Sequence, residues 1–217
     1  MSGVAATASA AFLSTLLPST ALAEPAASKV GGKPQFGDEE IMTQKGHGTS
    51  AQPVQSELMY GVSNSLADRI CNFNRHFAEQ AGYFKSTSFA QDVLQATGPL
   101  TFYDSVTGKP LFVAPIGRSP QEFLAESALH GWPSFRDQEV VWENVRVLRK
   151  SGETVSVDGT HLGTFFLDIY KGCLSRRDLC ILTPELTFLF TGHNLPDRTG
   201  NRYCINLVSV AGRPSTA

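Results

Sequence analysis

The chain has 217 residues, 41% of them apolar, with 18 Lys and Arg against 20 Asp and Glu. That length and composition suit one domain plus accessory segments, with enough apolar mass for a core that needs no covalent staples. A net charge of −2 lacks the basic footprint that nucleic acid or an anionic membrane surface requires, so both are excluded as main partners.

Residues 1–23 carry no charge and contain the apolar run Ala11-Phe-Leu-Ser-Thr-Leu-Leu17, followed by Ala21-Leu-Ala23. An apolar run before an A-x-A triplet is the pattern of a cleavable signal peptide, too short to span a bilayer as a mature helix. The basic start of a secretory signal is missing. That fits the second half of a two-part plastid leader, so the expected destination is organellar or secretory, the thylakoid lumen first. The alternative is an Ala/Ser-rich tail with no targeting role. Residues 24–55 are rich in Pro, Gly, Ser, Lys and Gln and read as a disordered linker, with His47 a solvated loop histidine. The globular domain is expected over residues 56–212.

Apolar residues at helical spacing from Leu66 to Leu94 predict one or two helices, the first carrying Cys71. Leu100-Thr-Phe-Tyr103 and residues 109–114 predict two strands around the turn at Thr107-Gly108. Ser119-Pro-Gln-Glu122 is a capping box with Pro at the first helical position, which predicts a helix from Pro120 to about Leu129. That helix delivers the chain to His130-Gly-Trp-Pro-Ser-Phe135. There Trp132, held extended by Pro133, can wall an apolar pocket or pack in a core. Residues 140–148 alternate as a strand, and Ser151-Gly152 turns them into residues 154–158 as a hairpin.

The final segment, Thr199-Gly-Asn-Arg-Tyr-Cys-Ile-Asn-Leu-Val-Ser-Val210, reads as a strand with Arg202, Cys204, Asn206 and Val208 on one face. Only the thiolate is a useful nucleophile, and a guanidinium roughly 6–7 Å along the strand lowers the thiol pKa. Asn206 can donate to the thiolate or to a substrate oxygen. The competing reading is a cysteine that only packs. Four cysteines, Cys71, Cys173, Cys180 and Cys204, form no C-x-x-C pair, so neither a zinc ribbon nor a thioredoxin motif is written here. Two disulfides, or a working thiol with a partner, fit that count equally.

In order, the chain shows Gly108-x-Pro-Leu-Phe112, Gly131-Trp-Pro-Ser-Phe135, His161-Leu-Gly163, Gly192-His193 and Thr199-Gly-x-Arg-Tyr-Cys-Ile-Asn206. Together these resemble the peptide-methionine (R)-S-oxide reductases, whose signature runs G-x-P-L-F, G-W-P-S-F, H-L-G-H and T-G-x-R-Y-C-I-N. The resemblance implies a mainly β, α+β fold of two small antiparallel sheets with flanking helices. It also implies thiol-dependent repair of the R epimer of methionine sulfoxide, free or in oxidised proteins, under oxidative stress. Cys204 is similar to the nucleophile that becomes a sulfenic acid, with Arg202 and Asn206 supporting its thiolate. Trp132 resembles the wall that holds the substrate methyl group.

The resemblance gives His161, His193 and Asp197 the task of holding the sulfoxide oxygen and protonating it. Thioredoxin or another dithiol is the implied reductant, and a monomer is expected. Relatives with structural zinc carry two C-x-x-C pairs where this chain has Asp104 and Thr107, then Val155 and Asp158, so no zinc and no other cofactor is expected. His130 occupies the place of a frequent resolving thiol. Cys71 is the candidate for that role; the alternatives are a structural cysteine and direct reduction of the sulfenic acid by an external thiol.

The motif H-L-G-H is interrupted by residues 164–192, and deleting them restores an unbroken match. A loop of that length between two catalytic histidines is hard to accommodate. Both junctions can be encoded by splice-site sequences falling after the first base of a glycine codon, so this stretch is read as a retained intron. The alternative is a genuine insertion, such as a hairpin bearing Cys173 and Cys180. A rival function from another class is a binding module on the same β-fold with Cys204 chemically unused. A third possibility is an inactive product of a mis-spliced transcript.

Overall fold

The computed structural model describes residues 29–73, 78–163 and 200–215. The expected leader, the insertion at residues 164–192 with Cys173 and Cys180, and the site candidates His193 and Asp197 lie outside the described residues.

Residues 29–55 depart most from the sequence reading. Expected as a disordered linker, they are ordered and packed on the domain. Strand β1 (Phe36–Gly37) pairs in parallel with the later strand at Val145–Leu148. Met42 is buried against Leu148 and Val155, and Val54 joins the main core. His47 is half-buried, its Nε2 2.9 Å from Oδ2 of Asp68 and its ring edge-on to Phe73 at 4.7 Å. Composition missed this because the segment has no core of its own and borrows one from distant strands.

Helix α1 (Asn64–Asp68) starts where the Ser63 side chain accepts the Leu66 N–H at 3.3 Å, and it continues as a π-type turn, Arg69–Phe73, that carries Cys71. A 3-10 turn, Tyr83–Ser86, leads to α2 (Phe89–Gln95). Strands β2 (Leu100–Tyr103) and β3 (Pro110–Ala114) form the expected antiparallel hairpin, Leu100 opposite Ala114. Helix α3 (Pro120–His130) carries the complete capping box between Ser119 and Glu122 and stops at Gly131, whose φ of +87° is the left-handed conformation that glycine accepts at no steric cost.

Strand β4 (Ser134–Arg136) follows at once. The strand expected over residues 140–148 is shorter than its alternation predicts, β5 (Val145–Leu148) alone. Its first half is claimed by other partners: the Val141 N–H donates to Leu111 O at 2.9 Å, and the Asn144 N–H turns back to Val141 O at 2.9 Å. Next come β6 (Thr154–Ser156), β7 (His161–Gly163) and β8 (Arg202–Cys204).

The described strands form a four-stranded sheet in the order β1-β5-β6-β7 and two ribbons, β2–β3 and β4–β8. The architecture is the expected mixed α+β class of small sheets with flanking helices, with three sheets among the described residues and one parallel pair, β1–β5. The core that fixes them is aromatic. Phe135 on β4 stacks on Phe112 of β3 at 4.2 Å, and Phe102, Phe123 and Phe89 close around them at 5–6 Å. Burying each such ring contributes roughly 1.5–3 kcal/mol, so ribbon β4–β8 is fastened to the hairpin and to α2 and α3 through its apolar face.

Candidate functional site

The β4–β8 ribbon sets the geometry around Cys204. Ser134 faces Cys204, Phe135 faces Tyr203 and Arg136 faces Arg202. The Ile205 N–H donates to Pro133 O at 3.0 Å, so Pro133 and Ile205 are a hydrogen-bonded pair. Ser134 and Cys204 are then a non-hydrogen-bonded pair, the arrangement in which facing side chains stand closest. The main chain of Ser134 points away accordingly: its N–H donates to Ser127 Oγ at 3.1 Å and its O accepts from Arg118 at 2.7 Å.

Two arginines facing each other across a ribbon repel. Glu126 on α3 lies between them and accepts from Arg136 at 2.6 Å, from Arg202 at 3.0 Å and from Arg118. Arg118 also reaches Glu139, at 2.9 Å through Nε and 2.5 Å through Nη2. The result is a buried layer of three guanidinium groups and two carboxylates beside the thiol. His130, at the end of the same helix, has its pKa lowered by burial, with Glu126 opposing and Arg202 assisting.

Cys204 is 3% exposed, and its thiol is pushed up to about 12 by burial first and the Glu126 carboxylate second, against an opposite pull from Arg202. The expected effect of Arg202 is therefore present in direction and outweighed in size. Its Nη2 is engaged by the carboxylate rather than dedicated to the sulfur.

Asn206 departs from the expected face. Strand β8 ends at Cys204, and a 3-10 turn at Leu207–Ser209 follows. The amide Nδ2 donates to Leu162 O at 3.1 Å and Oδ1 accepts the Glu79 N–H at 2.9 Å, so this side chain ties backbones together. Trp132, buried, donates through Nε1 to Glu79 O at 3.1 Å. The Glu79 carboxylate accepts the N–H groups of Leu207 at 2.8 Å and Val208 at 3.1 Å. Burial raises that carboxyl to about 7, against the pull of those two N–H bonds.

Glu79 thus joins Trp132 to the segment that follows Cys204. Sequence reasoning missed it, since it is an acidic residue between the apolar positions of the expected helices and part of no motif, and only its position in an apolar neighbourhood hints at burial.

His161 is fully buried on β7, opposite Val155, and its main-chain O accepts from Ser209 Oγ at 2.7 Å. Two residues on, a Cβ at Gly163 would lie 2.5 Å from the carbonyl oxygen of Cys204. The strands carrying His161 and Cys204 meet backbone to backbone, which is why the third position of H-L-G is glycine. Cys71 donates to Ser209 Oγ at 3.6 Å, and burial raises its pKa. Both described cysteines are in the thiol form. The Gly200 turn that opens β8 is clamped by Asp137, which accepts the Asn201 N–H at 3.0 Å and the Tyr203 hydroxyl at 2.6 Å.

The four positions that the sequence resemblance sets against zinc thiols do other work. Asp104 Oδ1 accepts the Val106 and Thr107 N–H groups at 2.7 and 2.9 Å, closing the β2–β3 turn, and Val155 packs in the core. Asp158 pairs with Lys109 at 2.8 Å beside a groove of about 510 Å³. Lys45 at this groove donates to the carbonyls of Ile41 and Thr49 at 2.6 and 2.8 Å. Among the described residues no group of three His, Cys, Asp or Glu side chains could hold a metal, and no helix is long and apolar enough to cross a membrane.

No protein-family model matches the chain, and no curated protein or solved structure matches it either.

Proposed function

We propose that the protein reduces methionine-R-sulfoxide, free or in oxidised proteins, with Cys204 as nucleophile and a thioredoxin-like dithiol as reductant. One observation carries this reading. Segments 132–135, 161–163 and 202–206, distant in sequence and each a piece of the reductase signature, meet at Cys204, with Ser134 facing it and Gly163 against its carbonyl.

Cys204 sulfur attacks the sulfoxide sulfur, and the oxygen passes to the cysteine. The products are a Cys204 sulfenic acid and the thioether, so the cysteine is oxidised by two electrons and the sulfoxide reduced by two. A thiol pushed to about 12 keeps its proton at neutral pH, so the proton it gives up on attack is available to the sulfoxide oxygen. His161, with His193 and Asp197, holds that oxygen and relays the proton. One thiol of the reductant then condenses with the sulfenic acid and releases water, and its second thiol breaks the mixed disulfide to restore Cys204. Trp132 walls the methyl group. In this reading Arg202 and Asn206 set the backbone and charge around the thiol, Cys71 is the internal resolving candidate, and the leader directs the enzyme to an organellar or secretory compartment.

The test is reduction of the R and S epimers with dithiothreitol by the full chain and by a version lacking residues 164–192. Turnover of R alone, abolished by Cys204→Ser, is expected. R turnover only in the shortened chain would mark the insertion as an off state or a retained intron. The rival binding module has one observation in its favour, the buried, high-pKa thiol. It predicts no turnover in either chain and unchanged function in Cys204→Ser.

A further inference from the structure

Of the two side chains expected to support Cys204, Arg202 commits its Nη2 to Glu126, and Asn206 commits its amide to Leu162 O and the Glu79 N–H. A desolvated sulfur gains most from a nearby donor when it becomes an anion. Ser134 is 0% exposed, and its hydroxyl has no hydrogen-bond partner among the described residues. A buried hydroxyl with an unused proton is uncommon enough to call for an explanation. Ser134 is also the residue facing Cys204, in the pair type that brings side chains closest, so a rotation about its Cα–Cβ bond can carry the hydroxyl to the sulfur.

We infer that the Ser134 hydroxyl is the donor that stabilises the Cys204 thiolate, which makes Ser134 a further residue of the reacting site. The inference rests on Cys204 being the working thiol and deepens that reading. In the resting thiol, Sγ is a weak acceptor and the hydroxyl stays idle. On deprotonation Sγ becomes a strong one, and the hydrogen bond forms across the ribbon. Ser134 thereby lowers the cost of the anion without placing a second permanent charge in a layer already crowded with guanidinium groups.

The experiment uses the full chain and follows iodoacetamide alkylation of the Cys204-containing peptide by mass spectrometry from neutral to alkaline pH. Ser134→Ala is expected to alkylate about tenfold more slowly at neutral pH, with its half-point moved up by about one pH unit. Its melting temperature should be unchanged or higher, because an idle buried hydroxyl has been removed, and a merely structural role would not produce that combination.

Ser134→Thr and Ser134→Val share a shape and differ only in the hydroxyl, so they carry the test even where alanine perturbs folding. Thr should follow the wild-type profile, and Val the alanine one. Coincident Thr and Val profiles would overturn the role of Ser134 while leaving the reductase reading standing. A separation of the two in a chain that turns over neither sulfoxide epimer would do the reverse.

Discussion

The two faces of the β4–β8 ribbon are held in opposite ways. On one, Phe135 stacks on Phe112 at 4.2 Å and Tyr203 meets Trp142 edge-on at 5.6 Å. On the other, Arg136 and Arg202 sit in line with Ser134 and Cys204, and a single carboxylate, Glu126, keeps the two cations together. Apolar contact is non-directional and tolerates substitutions that conserve volume. A buried ionic layer depends on every partner, since removing one leaves an uncompensated charge. The apolar face therefore decides where Cys204 stands, and the polar face decides how readily it ionises.

That division can be broken experimentally. Phe135→Ala should cost about 3–5 kcal/mol in denaturant unfolding while leaving the pH profile of Cys204 alkylation in place. Glu126→Gln should cost about 3 kcal/mol, because a neutral amide no longer balances the arginines. It should also move the alkylation profile to lower pH, since the carboxylate that opposes ionisation of the thiol is gone and Arg202 is released. Equal shifts in the two variants would end the distinction between positioning and tuning.

Glu79 sharpens the comparison, as a carboxyl that belongs to both kinds of packing. Its folded pKa of about 7 lies above the ordinary 4.5, so the folded state binds the proton more tightly than the unfolded chain. Its contribution is fully present below pH 4.5 and is lost as pH rises to about 7, by about 3 kcal/mol across that window. Urea titrations of wild type against Glu79→Gln should show that difference opening between those two pH values. A pH-independent difference would mean that Glu79 ionises as if exposed. Smallest of all, Asp158→Asn should change stability by less than about 1 kcal/mol, because its pair with Lys109 is half in water.

Much of this was legible in the sequence where the rule is local. The capping box at Ser119 and Glu122, the glycine stop at Gly131 and the β2–β3 hairpin need only neighbours to specify them. Alternation also placed Arg202 and Cys204 on one face correctly, as far as the strand lasts. It failed at Asn206, because the Glu79 carboxylate takes the next two N–H groups and turns the chain out of the strand. The ordering of residues 29–55, the shortened β5 and the role of Glu126 were invisible for the same reason. Each is fixed by a partner tens of residues away, and no local pattern encodes it.

The backbone contact between β7 and the residues after Cys204 also bears on self-association. Leu162 O accepts both the Asn206 N–H at 2.9 Å and the Asn206 side chain at 3.1 Å, and Gly163 closes on the Cys204 carbonyl. The outer rim of the four-stranded sheet is thereby covered on the β7 side. Among the described residues the opposite rim is β1, which is two residues long. A pairing strip that short gives a second chain almost nothing to template on. The packing that locates the thiol thus also guards the sheet against growth into aggregates, and a substitution that loosens Gly163 from Cys204 would expose both.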